Sequence, residues 1–331
     1  MRTGALHIIA ATLTATLVLA RATPGPAQQP VVLKLGNVQE VGQVVQVGLK
    51  RFADLVAERT KNQVQVQVFP ASQLGTEQEL LEGVQLNTVH MFEGATGAVG
   101  RFLPELEALA APYIWRDMEH MRKTVRGPIG MSLAERLAKS KGMRLLDMNW
   151  IMGYRHLSTK SKPVRTPEDL KGTKVRALPV PIYLQTIKAM GGNPTPLDWK
   201  EVYLGLQSGV IDGQETSITP FFNARLFEVQ KYMMLTEHIM QNQAIVINEK
   251  IYQGLSPAFR TIIQEAAVEA GDYQNDLSLK QEQADLEQLK AKGMVVVQPD
   301  LTAFRAATKD VWKMFADKWE PRLYERIQEV R

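Results

Sequence analysis

The chain has 331 residues, 45% hydrophobic and 22% charged, with 39 basic against 35 acidic side chains and no cysteine. That composition belongs to a globular chain of one large or two ordinary domains, and it excludes a disordered or collagen-like one. The missing cysteines exclude disulfides, a thiol nucleophile, cysteine-ligated metal and a lipid-modified N-terminal cysteine.

Residues 1–27 read as a cleaved export signal. Arg2 gives a positive start, residues 7–20 are apolar, and Pro24 and Pro26 break the run. Gly25 and Ala27 are small residues suited to cleavage before Gln28, and Ala20 and Ala22 offer an alternative cut. The apolar run of 14 residues is short of the roughly 20 needed to span a bilayer. The expectation is an exported protein with no direct membrane insertion. Loss of Arg2 and Arg21 leaves 37 basic against 35 acidic residues, so no nucleic-acid partner is expected.

Residues 31–35 are largely apolar and lead into Gly36-Asn37. Residues 44–59 have helical spacing, with Val44, Val47, Phe52, Leu55 and Val56 as the apolar face. Residues 63–69 alternate, with Val64, Val66 and Val68 opposite Gln63, Gln65 and Gln67, as in a half-buried strand. Thr76 and Glu79 form a capping-box pair for a helix over 76–83. A short apolar run at 89–92 enters a loop spaced by Gly94, Gly97 and Gly100. This order predicts an α/β layer with a partly parallel sheet.

The pattern then restarts. A strand is predicted over 144–152, a helical turn over 167–170 and a strand over 173–177. Helices follow over 182–190 and 199–208, then a short strand at 210–211. No Gly/Ser-rich or Pro-rich linker separates the two units, which fits lobes joined by crossing strands. The longest feature is a helix over 257–292, with Ser256 as N-cap, Pro257 at N1 and Gly293 at C′. Unbroken, it would extend about 54 Å and run along both lobes; Gly271 offers a bend or a break into two helices.

Catalytic patterns are sparse. His90, His120, His156 and His238 follow the signal, and none stands at helical metal-ligand spacing from another. No nucleophile elbow, dinucleotide loop or phosphate loop is present. Asp212 with Glu215 is a weak signal in a chain with 35 acids, and His238 reads as a hydrogen-bonded core residue. What stands out is the cationic stretch 155–176. It holds Arg155, Lys160, Lys162, Arg165, Lys171, Lys174 and Arg176 against Glu168 and Asp169. Arg155 ends one predicted strand and Arg176 lies inside another. A guanidinium there suits a two-pronged clamp on a carboxylate; the spacing equally allows an ion pair with one of the protein's own carboxylates.

One ordered set of segments is specific. It comprises residues 69–75 (FPASQLG), Arg155, residues 167–176 (PEDLKGTKVR), 201–215 (EVYLGLQSGVIDGQE) and 228–232 (EVQKY). Together they resemble the extracytoplasmic solute-binding subunit of TRAP transporters, the DctP-type family, over nearly the whole mature chain. The resemblance implies an α/β, two-lobed periplasmic binding protein fold with a central cleft, crossing strands and a long spine helix. Lobe I would comprise 28–152 plus 241–280, and lobe II 153–240 plus 281–331. It also implies a small organic carboxylate held by Arg176 and assisted by Arg155, with Trp199 against it. Thr216 stands where the family often has Asn. Gln39, Glu93 and Thr96 would line the cleft from the first lobe. The expected protein is not an enzyme, needs no cofactor or metal, is a monomer, and hands its ligand to the small and large membrane subunits. A secreted sensor module or an enzyme acting on organic acids are the alternatives. Trp150 and Trp199 would leave room for a larger or aromatic acid, whereas two arginines would suit a dicarboxylate.

Overall fold

Nine strands form one sheet in the computed structural model, which describes residues 29–331. The predicted signal over 1–27 lies outside the described residues. In chain order the strands are β1 (Val31–Gly36), β2 (Val64–Phe69), β3 (Met91–Ala95), β4 (Met143–Thr159) and β5 (Lys174–Ala177). They continue with β6 (Asn193–Pro196), β7 (Gly213–Ser217), β8 (Tyr232–Asn248) and β9 (Val295–Val297). The spatial order is β2-β1-β3-β8-β4-β7-β5-β6, with β9 beside β8. The flanks are parallel, β1 with β2 and β3 on one side and β5 with β6 and β7 on the other. β4 and β8 run antiparallel to each other, β8 antiparallel to β3 and β4 antiparallel to β7, while β9 pairs with β8 in parallel.

Local sequence explains most of the elements. In β2, Val64 and Val66 are buried beneath the helix Val44–Arg59. That helix buries Val45, Leu49, Phe52, Leu55 and Val56, while Val47 faces solvent, so the apolar face sits slightly round from the predicted one. The capping box of Thr76 and Glu79 is formed and opens the helix Glu77–Leu86. Other elements differ from expectation. Strand β3 continues through Gly94 to Ala95, and Thr96–Val99 is a helical turn, not a glycine-spaced loop. The predicted strand at 210–211 is absent; pairing begins at Gly213, where the β7 backbone meets β4.

The two 17-residue strands β4 and β8 are the crossing elements. They pair from Met143 opposite Asn248 to Thr159 opposite Tyr232, with register shifts between. A shifted ladder leaves backbone groups unpaired, and the spine helix Pro257–Ala291 supplies partners for them. Asn275 Oδ1 accepts from the Ile151 N–H at 2.7 Å, and its amide nitrogen donates to the Asn149 carbonyl at 2.6 Å. Gln274 donates to the Ile151 carbonyl at 2.9 Å.

The spine helix is continuous for 35 residues, about 52 Å. It packs on Val44–Arg59, on β4 and on the helix Ile218–Asn223. Gly271 does not break it. A Cβ at Gly271 would stand 2.6 Å from Trp150 Nε1, so the glycine lets the helix settle on the Trp150 ring, whose N–H donates to the Ala267 carbonyl at 3.1 Å. Trp150 is therefore core, not cleft, and leaves no room for a ligand.

The C-terminal segment makes contacts at widely separated places along the chain. Strand β9 pairs in parallel with the start of β8, and residues 320–330 return to elements that precede β4. Gln328 donates to the Ile114 carbonyl at 2.6 Å, His120 Nε2 donates to the Ile327 carbonyl at 2.8 Å, and Arg136 joins Glu320 to Glu105.

Gly153, opposite Gln241 in the β4–β8 ladder, has φ +109°, and a Cβ there would meet Glu282 Oε2 at 2.6 Å. Gly153→Ala is expected to lose about 1–2 kcal/mol from the left-handed backbone alone. Urea unfolding will show a lower midpoint; an unchanged midpoint contradicts the strain at this crossing point.

Candidate functional site

Where the flanking strands meet the crossing pair, a cleft opens with an empty volume of about 590 Å³, part of it in contact with solvent. Strands β4, β5 and β7 deliver Arg155, Arg176 and Thr216 to it. The loop after β1 brings Gln39, and the turn after β6 brings Trp199. Glu93 and Thr96 are not on its lining; both are fully buried behind it, without hydrogen-bond partners for their side-chain oxygens. Burial, with Glu77 nearby, pushes the Glu93 carboxyl up to about 8, so at neutral pH it is an uncharged acid.

The two arginines differ in their partners. Arg155 is 3% exposed and grips Glu215 through both Nε and Nη2, the Nη2–Oε1 distance being 2.7 Å. Its Nη2 also donates to the Glu215 carbonyl at 2.8 Å, and Nη1 to Gln241 Oε1 at 3.2 Å. Burial works to raise the Glu215 pKa, but the Arg155 charge and hydrogen bonds from His238 and Arg155 outweigh it and hold it at about 2. Burial pushes the His238 pKa down. A neutral His238 thus donates from Nε2 to Glu215 at 3.3 Å and accepts from Thr236 at Nδ1, 2.8 Å away. Arg155 is the internally paired arginine.

Arg176 is 2% exposed and donates from Nε to the Leu197 carbonyl at 2.8 Å, but its Nη1 has no partner. Among the described residues no carboxylate lies within ion-pair distance of it. Burial lowers its pKa to about 10, with Glu215 opposing and Arg155 adding to the fall, so it remains a cation at neutral pH. Its guanidinium lies 5.6 Å from the centre of the Trp199 ring. A desolvated cation without a counter-ion is unfavourable unless an anion completes it.

Hydrogen bonds join the cleft walls. Trp199 Nε1 donates to Glu40 Oε1 at 2.9 Å, and Arg101 donates to the Pro179 carbonyl. Several lining residues had no sequence signal: Glu77, Gln241 and Gln243 are scattered polar residues with no motif of their own. Glu77 accepts from the Ala95 N–H at 3.1 Å. Burial raises its pKa against that bond and the charges of Arg176, Arg155 and Arg101.

Known proteins share this architecture. The DctP family model, described as bacterial extracellular solute-binding protein, family 7, matches residues 35–318. The 2,3-diketo-L-gulonate-binding periplasmic protein YiaO of Escherichia coli is 36% identical over 251 residues, 76% of this chain and 76% of that protein. The sialic acid-binding periplasmic protein SiaP of Vibrio cholerae is 31% identical over 283 residues, 86% of this chain and 88% of that protein. A crystal structure of a TRAP periplasmic solute-binding protein from Actinobacillus succinogenes with bound L-galactonate superimposes with a TM-score of 0.86 at 34% identity, covering 90% of this chain and 98% of that one.

Proposed function

The chain belongs to the bacterial extracellular solute-binding proteins of family 7, and on that premise we propose that it captures a small organic carboxylate on Arg176 and delivers it to the small and large membrane subunits of a TRAP transporter. The observation that carries the reading is the buried, charged Arg176 with an unpartnered Nη1 and no carboxylate within ion-pair distance among the described residues. The named relatives bind 2,3-diketo-L-gulonate, sialic acid and L-galactonate, all carboxylates, which supports the same class here. No helix among the described residues is long and apolar enough to cross a membrane. This accords with a periplasmic partner of membrane subunits, released by cleavage of the signal over 1–27.

The two bodies that close are proposed to divide at Gly153 and Gln241, paired across β4 and β8. Trp199 and Thr216 meet the ligand beside Arg176, Gln39 approaches from the opposite wall, and Arg155 acts by holding Glu215. Closure excludes water, and the lower effective dielectric strengthens the contact between carboxylate and guanidinium. Ligand shifts the population to the closed state by its greater affinity for it.

The test is thermal melting of ligand-free protein spanning 28–331 with a panel of organic acids and their amides. An acid that raises Tm while its amide does not, with a smaller radius of gyration by solution scattering, is the expected result. A panel in which no acid acts, or acid and amide act equally, overturns the carboxylate reading.

A further inference from the structure

Resting on that carboxylate reading, we propose that the ligand is a polyhydroxylated monocarboxylate and that the cleft discriminates against dicarboxylates. The first argument is a count of available cations. Arg155 lines the cleft, but Glu215 takes three of its hydrogen bonds and Gln241 a fourth. Lys200 is exposed at the rim, where its charge acts on Glu79. Among the described lining residues, Arg176 is the interior cation free to meet an anion.

The second argument is what remains for the other end of the ligand. Gln39 and Gln243 both line the cleft, are buried, and have side-chain oxygens without partners. Glu77 and Asp198 add carboxylates to the same lining. The unpartnered oxygens are acceptors, although each glutamine also carries an NH2 donor. A second ligand carboxylate can only accept, so it would leave those oxygens unpartnered and stand near the carboxylates of the lining. A ligand hydroxyl donates to an amide or carboxylate oxygen and still accepts from the Thr216 or Ser72 hydroxyl. Gln241 does not compete for such a ligand. Its oxygen already accepts from Arg155 and, at 2.9 Å, from Tyr183, and its nitrogen donates to the Asn242 carbonyl at 2.7 Å. A site built to pair with hydroxyls rejects an analogue lacking them, because its own buried polar groups are left unpartnered.

The experiment is calorimetry on ligand-free protein with D-gluconate, L-galactonate, D-erythronate and D-galacturonate on one side, succinate and L-malate on the other, and D-glucose as the uncharged control. The tightest of the first group is expected to bind about 100-fold more tightly than either dicarboxylate, and D-glucose not to bind. Gln39→Leu and Gln243→Leu should each weaken that ligand about tenfold, the loss of one buried hydrogen bond. Succinate or L-malate binding as tightly as the best hydroxy acid overturns this inference and leaves carboxylate capture standing, as does unchanged affinity in both glutamine variants. No binding by any acid in either group removes the carboxylate reading itself. The ligand comparison needs no variant, so a variant that fails to fold does not spoil it.

Discussion

Arg176→Ala is expected to weaken carboxylate binding about 100-fold or more while leaving the ligand-free protein at least as stable as before. Two charge-assisted hydrogen bonds from one guanidinium contribute about 1.5–3 kcal/mol each, and each 1.4 kcal/mol is about tenfold in affinity. Arg176→Lys keeps a charge but loses the planar fork, so it should recover little of the loss. The stability half follows from the same environment. The guanidinium is desolvated, one nitrogen lacks a partner, and among the described residues no carboxylate reaches ion-pair distance, although Glu215, Glu77 and Asp198 act on it from further off, so the fold holds a cation that destabilises it until an anion arrives. Arg176→Met, apolar and of similar length, should therefore raise the ligand-free Tm. Calorimetry with melting of ligand-free protein separates this from a structural role. Unchanged affinity in the Ala and Lys variants, or a collapsed Tm in the Met variant, would sink the assignment.

The fold was legible in the sequence wherever apolar spacing carries it. The alternation of 63–69 and the caps of the spine helix are local signals with local causes. β8 escaped, and so did the second half of β4. Both are buried on two faces, and near the cleft the buried residues are polar: Arg155, His156, Ser158 and Thr159 on one strand, Thr236, His238, Gln241 and Gln243 on the other. Hydropathy reads such a run as surface. Most of it is interior because neighbouring strands, the same strand and the spine helix supply partners, with the Gln243 oxygen left open to the cleft, and sequence order does not show those partners.

The candidate site divided along the same line. Arg155 stood out at the end of one predicted strand and Arg176 inside another, but which one remains available depends on Glu215, 60 residues from Arg155 along the chain. Trp199 lines the cleft and Trp150 does not, although both are tryptophans beside a predicted strand or helix; the difference is the close approach that Gly271 permits. Glu93 and Thr96 sit on a strand and turn that run behind the cleft wall, and a side chain's facing cannot be read from a resemblance of loops. Glu77 and Gln243 reach the lining only through the pairing of β3 with β8 and the helix packed over them.

Glu215→Gln is expected to destabilise the protein by about 3–5 kcal/mol, the typical loss when one partner of a buried ion pair is removed. Arg155 would then stand uncompensated beside an already uncompensated Arg176, whose charges act on each other. The double variant Arg155→Met with Glu215→Leu should be the more stable of the two, because it removes charge and counter-charge together. Acid sensitivity follows with a definite sign. Glu215 is held at about 2 against an ordinary 4.5, so its contribution is complete above about pH 4.5 and is lost as pH falls through 2. Burial, with His238 adding, lowers His156 from 6.5 to about 3. The unfolded chain therefore binds its proton first, and stability falls from about pH 6.5 downward. Urea unfolding between pH 3 and 8 should steepen below pH 4.5 in the parent, where Glu215 adds to His156, and should not steepen there in Glu215→Gln, where His156 alone remains; parallel curves would contradict the pairing. The same substitution bears on ligand choice. With Glu215 neutral, Arg155 becomes a second free cation in the cleft, so succinate should gain affinity relative to the best hydroxy monocarboxylate. The ion pair that stabilises the crossing strands would then also be what limits the cleft to a single anion.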